Sequence, residues 1–68
     1  MVMASGKLYI QDRKEKGVRE VKANGGIVRK VVRCEDCDGF NAYEIFFDMD
    51  KEKLDALVDK SWDWSYAN

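Results

Sequence analysis

Apolar and polar residues alternate in the segment KLYIQ (7–11), near the start of the chain. Leu8 and Ile10 flank Tyr9, and this period of two predicts a β-strand. The charged segment DRKEKG that follows predicts a loop.

The next two segments, VREVKA (18–23) and GIVRKVVRC (26–34), are rich in β-branched valine and flank Asn24-Gly25. Asn-Gly between such runs favours a two-residue hairpin, because a type I′ turn needs positive φ at both central residues. The sequence therefore predicts two strands joined by this turn.

A helix over residues 13–23 is the alternative. Asp12 and Glu15 would form its capping box, and Asn24-Gly25 would end it. Gly17 and an apolar stripe of only two valines count against this helix, so the strand is favoured.

A second turn signal, Asp38-Gly39, predicts the register of the following hairpin. Centred there, the hairpin pairs Cys34 with Tyr43 and Arg29 with Asp48. One face then collects an apolar set, and a slip of one residue would scatter it. The members of this set are Val21, Val28, Val32, Cys34, Tyr43, Ile45, Phe47 and Met49. The opposite face carries a stripe of Val18, Val31 and Phe46 that no helix covers, which would mark an association site.

The C-terminal third predicts one helix. Asp50 is a favourable N-cap, and Leu54, Leu57, Val58 and Trp62 recur with the spacing of one helical face. The predicted fold class is α+β: a four-stranded antiparallel meander, open or curled into a small barrel, with one C-terminal helix packed on one face. Residues 1–6 are predicted to be a flexible N-terminus and 7–68 a single domain.

The chain has 68 residues, the size of one small domain. Such a domain buries only about 60% of its unfolded surface, so function is expected on the outside. With no histidine, Ser-His and Cys-His catalysis are excluded, and no glycine-rich phosphate loop is present. We therefore expect a protein that is not an enzyme and binds no cofactor. The absence of a signal peptide, of a membrane-spanning apolar run and of a disulfide framework predicts a cytoplasmic location.

Both cysteines, Cys34 and Cys37, lie in a C-x-x-C spacing. A structural zinc site needs four ligands, so only two chains sharing one ion could complete it. A redox pair needs a stabilised thiolate, which the neighbouring acids oppose. The predicted register also places the two sulfurs on opposite faces. A structural role is favoured, and a zinc-bridged homodimer remains the third functional hypothesis.

Charge divides the chain into two halves. Residues 1–33 hold nine Lys or Arg and three acids, a net charge of +6, whereas residues 34–68 hold three lysines and ten acids, a net charge of −7. Such asymmetry indicates either a binding face or two halves that pair with each other. A nucleic-acid-binding module is therefore one hypothesis, and its candidate residues are Arg13, Lys14, Lys16, Arg19 and Lys22.

The acidic half suggests the leading hypothesis, a small regulator or inhibitor that binds a protein partner as a monomer or homodimer. Its acids would occupy a basic site, with exposed aromatics as anchors. Phage-encoded inhibitors of host nucleic-acid machinery, such as anti-CRISPR proteins, offer an analogy of size and charge only. The candidate partner-binding residues are Glu35, Asp36, Asp38, Asp55, Asp59, Asp63, Trp64 and Tyr66.

Overall fold

A computed structural model describes residues 2–11, 13–34 and 42–67, which form one sheet and two helices. The elements in chain order are β1 (Met3–Gln11), α1 (Lys14–Ala23), β2 (Ile27–Cys34), β3 (Ala42–Asp50), α2 (Lys51–Lys60) and β4 (Trp64–Tyr66). The strands are antiparallel and lie in the order β2-β3-β1-β4. A helix after the first and the third strand, with this strand order, is the split β-α-β arrangement of ferredoxin-like folds. The α+β class is confirmed, but the strands do not form a meander and a second helix is present.

Helix α1 replaces the strand predicted over residues 18–23. Gly17 and Val21 are buried and Val18 is half-buried, a spacing that lies on one face of a helix. A strand would have put Val18 and Val21 on opposite faces. Helix α1 begins after Arg13, whose side chain makes no capping hydrogen bond, and the predicted cap Asp12 lies outside the described residues.

The pairing of β2 with β3 is antiparallel as predicted, but the register is not the predicted one. Cys34 lies opposite Ala42, not Tyr43, and Val32 lies opposite Glu44. A register shift between Val28 and Lys30 inserts one extra residue into β2, which is a β-bulge. The predicted apolar face of β2 is confirmed for Val28, which packs against the core, but is wrong for Val32, which lies on the face of Glu44 and is exposed.

Both helices pack on the same face of the sheet and enclose one core. Its buried members are Leu8, Val21, Ile45, Phe47, Met49, Leu54 and Trp64. Ile45, Phe47 and Met49 alternate along β3, so the residues between them point to the opposite face. Neither α1 nor α2 covers that opposite face, which we call the open face.

The C-terminal tryptophans exchange their predicted roles. Helix α2 begins at the predicted N-cap Asp50, whose carboxylate accepts from Lys53 N at 3.4 Å. It ends at Lys60, before Trp62, so Trp62 is not on the buried helical face and is 84% exposed. Trp64 instead begins β4, is only 8% exposed, and packs edge-on against Phe47 at 5.6 Å between ring centroids.

Strand β1 begins at Met3, four residues before the predicted strand, and pairs along its whole length with β3. This long central pairing makes β1 and β3 the two inner strands of the sheet. Neither helix in the described part of the chain is long and apolar enough to cross a membrane.

Candidate binding surface

The predicted acidic site divides into residues that the structure describes and residues that it does not. Glu35, Asp36 and Asp38 lie outside the described residues. Of the others, Asp59 is exposed on α2. Asp63 is half-buried, and its backbone oxygen accepts from Tyr9 N at 3.0 Å.

Asp55 takes part in a hydrogen-bonded group within the molecule. The Tyr66 hydroxyl donates to one carboxylate oxygen, and Lys51 Nζ donates to the other at 2.9 Å. The hydrogen bond from Tyr66, followed by that from Lys51, lowers the pKa of Asp55. The same carboxylate raises the pKa of Tyr66 and of Lys51. A partner would have to displace these groups to reach the Asp55 carboxylate.

The exposed side of α2 is mixed in charge rather than acidic. Two acids, Glu52 and Asp59, alternate there with three lysines, Lys51, Lys53 and Lys60. Trp64 is buried, so it lacks the exposure that an interface anchor needs, whereas Tyr66 keeps part of its surface in water. The acidic-surface hypothesis therefore depends on the segment that the structure does not describe.

The basic residues predicted for nucleic acid are all exposed. Arg13 precedes α1, and the other four lie on the helix: Lys14, Lys16, Arg19 and Lys22. The ammonium of Lys14 lies 5.8 Å from the centroid of the Tyr43 ring, a cation–π contact.

Trp62 stacks on Tyr9 and forms an aromatic pair that the sequence did not predict. Their ring centroids are 6.4 Å apart and the ring planes meet at 29°. The pair borders a groove of about 390 Å³ beside β1, to which α1 contributes Lys16 and Glu20. A stacked aromatic pair with most of one ring in water is a preformed surface for another planar group.

The open face places a further aromatic ring next to this pair. Phe46 on β3 lies opposite Lys7 on β1 and opposite Lys30 on β2, so a ring is flanked by two lysines across three strands. Lys30 Nζ lies 5.0 Å from the Phe46 centroid. Tyr9 follows Lys7 by two residues and therefore points to the same face.

Among the described residues, the acids Glu44 and Asp48 lie on the open face, and each is paired with a cation. Glu44 lies 3.5 Å from Lys7 Nζ. Asp48 accepts from Ser5 Oγ at 2.9 Å and from Arg29 Nε at 2.6 Å. These two hydrogen bonds lower the pKa of Asp48, that from Ser5 most. The bulge in β2 brings Arg29 to Asp48, so their predicted ion pair is present despite the different backbone register.

Cys34 is disulfide-bonded and half-buried, and is not the core-facing thiol opposite Tyr43 that the sequence predicted. Cys37 lies outside the described residues. A disulfide sulfur supplies no thiolate, so the zinc-bridged homodimer applies only to the reduced chain. Among the described residues, no group of three or more His, Cys, Asp or Glu side chains is placed to hold a metal ion.

No family model, no curated protein and no solved structure gives a significant match to this chain. The functional argument therefore depends on the side chains themselves, because a fold of this topology hosts many unrelated functions.

Proposed function

We propose that this chain is a small non-enzymatic module that binds single-stranded nucleic acid on the open face of its sheet. The observation that carries the proposal is the cross-strand row Lys30–Phe46–Lys7 beside the stacked pair Tyr9 and Trp62. Unpaired bases stack on aromatic rings, and nearby cations hold the phosphates.

The spacing of the Tyr9, Phe46 and Trp62 rings supports a single-stranded nucleic acid of several nucleotides, rather than one free nucleotide, as the ligand. Neighbouring strands of a sheet lie about 4.8 Å apart, and residues i and i+2 about 6.8 Å apart. Tyr9 and Phe46 lie on adjacent strands, and Trp62 continues the series past β1. Phe46 and the stacked pair Tyr9 and Trp62 therefore offer two neighbouring stacking positions across the sheet, while duplex bases would have no free faces to offer them.

Positive charge near the open face also supports single-stranded nucleic acid as the ligand. The sheet cations Lys7 and Lys30 lie on the open face, and Lys16 of α1 lies at the groove that borders Tyr9 and Trp62. The net charge of the whole chain is −1, but its acids are concentrated after residue 34. Local positive charge, rather than the total, steers a phosphate backbone once it lies within the screening length of about 10 Å.

The test is fluorescence anisotropy of the intact chain with a labelled single-stranded oligonucleotide of mixed sequence, at several salt concentrations. Removing one stacking ring, in Trp62→Ala, is expected to weaken binding by about 5- to 150-fold, since one stacked base contributes about 1–3 kcal/mol. Lys30→Glu is expected to weaken binding and to flatten its salt dependence. Lys53→Glu on α2 changes the charge equally away from the open face and is the matched control.

Two outcomes would overturn this function. One is no binding at low salt; the other is equal binding by the wild type and Trp62→Ala. The leading hypothesis from the sequence is an acidic surface that binds a protein partner. It would be favoured if the chain bound no nucleic acid but bound a basic protein, and if the double variant Asp36→Lys, Asp38→Lys lost that binding.

A further inference from the structure

Strand β2 is the long outer edge of the sheet. The opposite edge, β4, has three residues, whereas β2 has eight and, within residues 2–11, 13–34 and 42–67, pairs with β3 alone. Six of its residues are exposed, Ile27 and the run from Arg29 to Arg33. An edge strand offers a row of backbone N–H and C=O groups to any extended segment that lies beside it.

The side chains of this edge are those of a strand that accepts a partner. Ile27, Val31 and Val32 keep 57%, 37% and 39% of their surface in water. They are β-branched, and such residues favour pairing across strands. The bulge beside Arg29 interrupts the ladder once, but from Lys30 to Cys34 the pairing with β3 is regular.

The charge of β2 decides which partner fits. The strand holds three cations, Arg29, Lys30 and Arg33, and no acid. A second copy of β2 laid antiparallel would bring these cations close to one another, and like charges opposite each other are destabilising. Opposite charges in the same positions stabilise each pair by about 0.2–1 kcal/mol.

From this edge we infer that the chain has a second binding surface, which adjoins the nucleic-acid site and shares Lys30 with it: β2 recruits an extended acidic segment of a protein partner as a fifth strand. Main-chain hydrogen bonds along the edge provide the attachment, as in other strand-addition complexes. Acidic side chains of the partner face Lys30 and Arg33, since Arg29 is paired with Asp48, and its β-branched residues pack beside Val31 and Val32.

The experiment uses a synthetic peptide of about eight residues, the length of β2. It carries Glu at the positions opposite Lys30 and Arg33 and Val and Thr at the positions opposite Val31 and Val32, because neighbouring residues of β2 point to opposite faces. The control peptide has Lys in place of Glu. We expect the Glu peptide to bind and to slow amide hydrogen exchange along β2. Arg33→Glu is expected to weaken binding of the Glu peptide by about three- to tenfold, the effect of one or two cross-strand pairs in which opposite charges become like charges. Lys53→Glu and Trp62→Ala are expected to bind the peptide as the wild type does.

Four results would overturn the inference. These are no binding of the Glu peptide, equal binding of the Lys peptide, exchange protection away from β2, or a homodimer paired through β2 without peptide. Circular dichroism of Arg33→Glu shows whether a loss of binding comes from unfolding. Trp62→Ala, which is expected to lose the oligonucleotide and keep the peptide, separates a failure of this inference from a failure of the nucleic-acid site.

Discussion

At the scale of single residues, Gly17 shows why a helix-weakening residue lies inside α1. A Cβ at this position would overlap Ile45 Cδ1 and would lie 3.0 Å from Ile10 Cγ2. Glycine in a helix costs about 1 kcal/mol relative to alanine. Here that cost permits α1 to approach the sheet closely enough to bury Val21. The sequence shows the weak helix former but not the strands against which it packs.

This explanation predicts whether Gly17→Ala stabilises or destabilises the folded chain in the wild type and in Ile45→Val. Gly17→Ala is expected to destabilise the wild type by up to about 2 kcal/mol, because overpacking of about 1–3 kcal/mol exceeds the gain in helix propensity. In Ile45→Val, which lacks the overlapping methyl group, the same substitution is expected to be neutral or stabilising. Urea unfolding of the four proteins gives the coupling between the two sites directly. Stabilisation by Gly17→Ala in both backgrounds would contradict the close approach.

The group formed by Asp55, Tyr66 and Lys51 predicts a pH dependence of stability. The pKa of Asp55 is lowered in the folded chain, so its contribution is present above its unfolded pKa of about 3.9 and is lost as the pH falls through the lower folded value. The pKa of Tyr66 is raised, so its contribution is present below its unfolded pKa of about 10 and is lost as the pH rises through the higher folded value.

Asp55→Asn is therefore expected to destabilise the chain most near neutral pH and progressively less toward both extremes. The measurement is the urea midpoint as a function of pH for both proteins. Asp59→Asn, on an exposed site of the same helix, is the control and is expected to lack this profile. A deficit of constant size from acid to alkaline pH would show that Asp55 acts through packing alone.

At the scale of elements, the same dipeptide signal fits two structures. Asn24-Gly25 ends α1 instead of forming a hairpin: Gly26 N donates to Val21 O at 2.9 Å, and Gly25 N donates to Lys22 O at 3.0 Å. This is a Schellman motif, with Gly25 at a φ of +79°. A hairpin turn and a helix C-cap both need positive φ at the glycine, so Asn24-Gly25 alone predicts a turn but does not show which of the two it is. The spacing of Val18 and Val21 is the signal that distinguishes them.

The start of helix α2 could be predicted from the local sequence, whereas strand register could not. Helix α2 and its N-cap Asp50 follow from the local sequence and are confirmed. Register is not local: from Lys30 to Cys34, β2 pairs with β3 one residue away from the predicted register, so Val32 lies opposite Glu44 and Cys34 opposite Ala42. The bulge beside Arg29 then shifts the pairing by one residue more. The sequence could suggest the ion pair of Arg29 with Asp48, because long side chains reach each other across a bulge, but it could not show the bulge itself.

At the scale of the whole molecule, the strand order places the residues of the proposed binding surface side by side. Tyr9 and Phe46 lie far apart in the sequence but on adjacent strands, because β1 inserts between β3 and β4, and Trp62 stacks on Tyr9. A meander would have put β2 between β1 and β3 and separated Lys7 from Phe46. The basic residues of α1 were predictable because charge is visible in sequence. The aromatic pair was not, because Trp62 fits the helical spacing of α2 and leaves it only when the helix ends at Lys60.

The arrangement of the open face predicts a substitution that strengthens binding. Glu44 holds the ammonium of Lys7 at 3.5 Å, so a phosphate must compete with this carboxylate for Lys7. Both side chains are partly in water, and such a pair contributes only about 0–1 kcal/mol to stability. Glu44→Gln is therefore expected to leave the urea midpoint nearly unchanged while tightening oligonucleotide binding by about threefold or more, with a steeper salt dependence.

The matched control is Glu52→Gln, which removes an exposed acid from the far side of α2 and changes the net charge equally. If only the net charge of the chain determined its affinity for the oligonucleotide, both variants would bind more tightly by the same factor. An effect confined to Glu44→Gln would localise the phosphate to the row of Lys7, Phe46 and Lys30. Weaker oligonucleotide binding by Glu44→Gln would instead mean that the carboxylate contacts the ligand directly or holds Lys7 in the position that binding needs, and would contradict competition between Glu44 and phosphate.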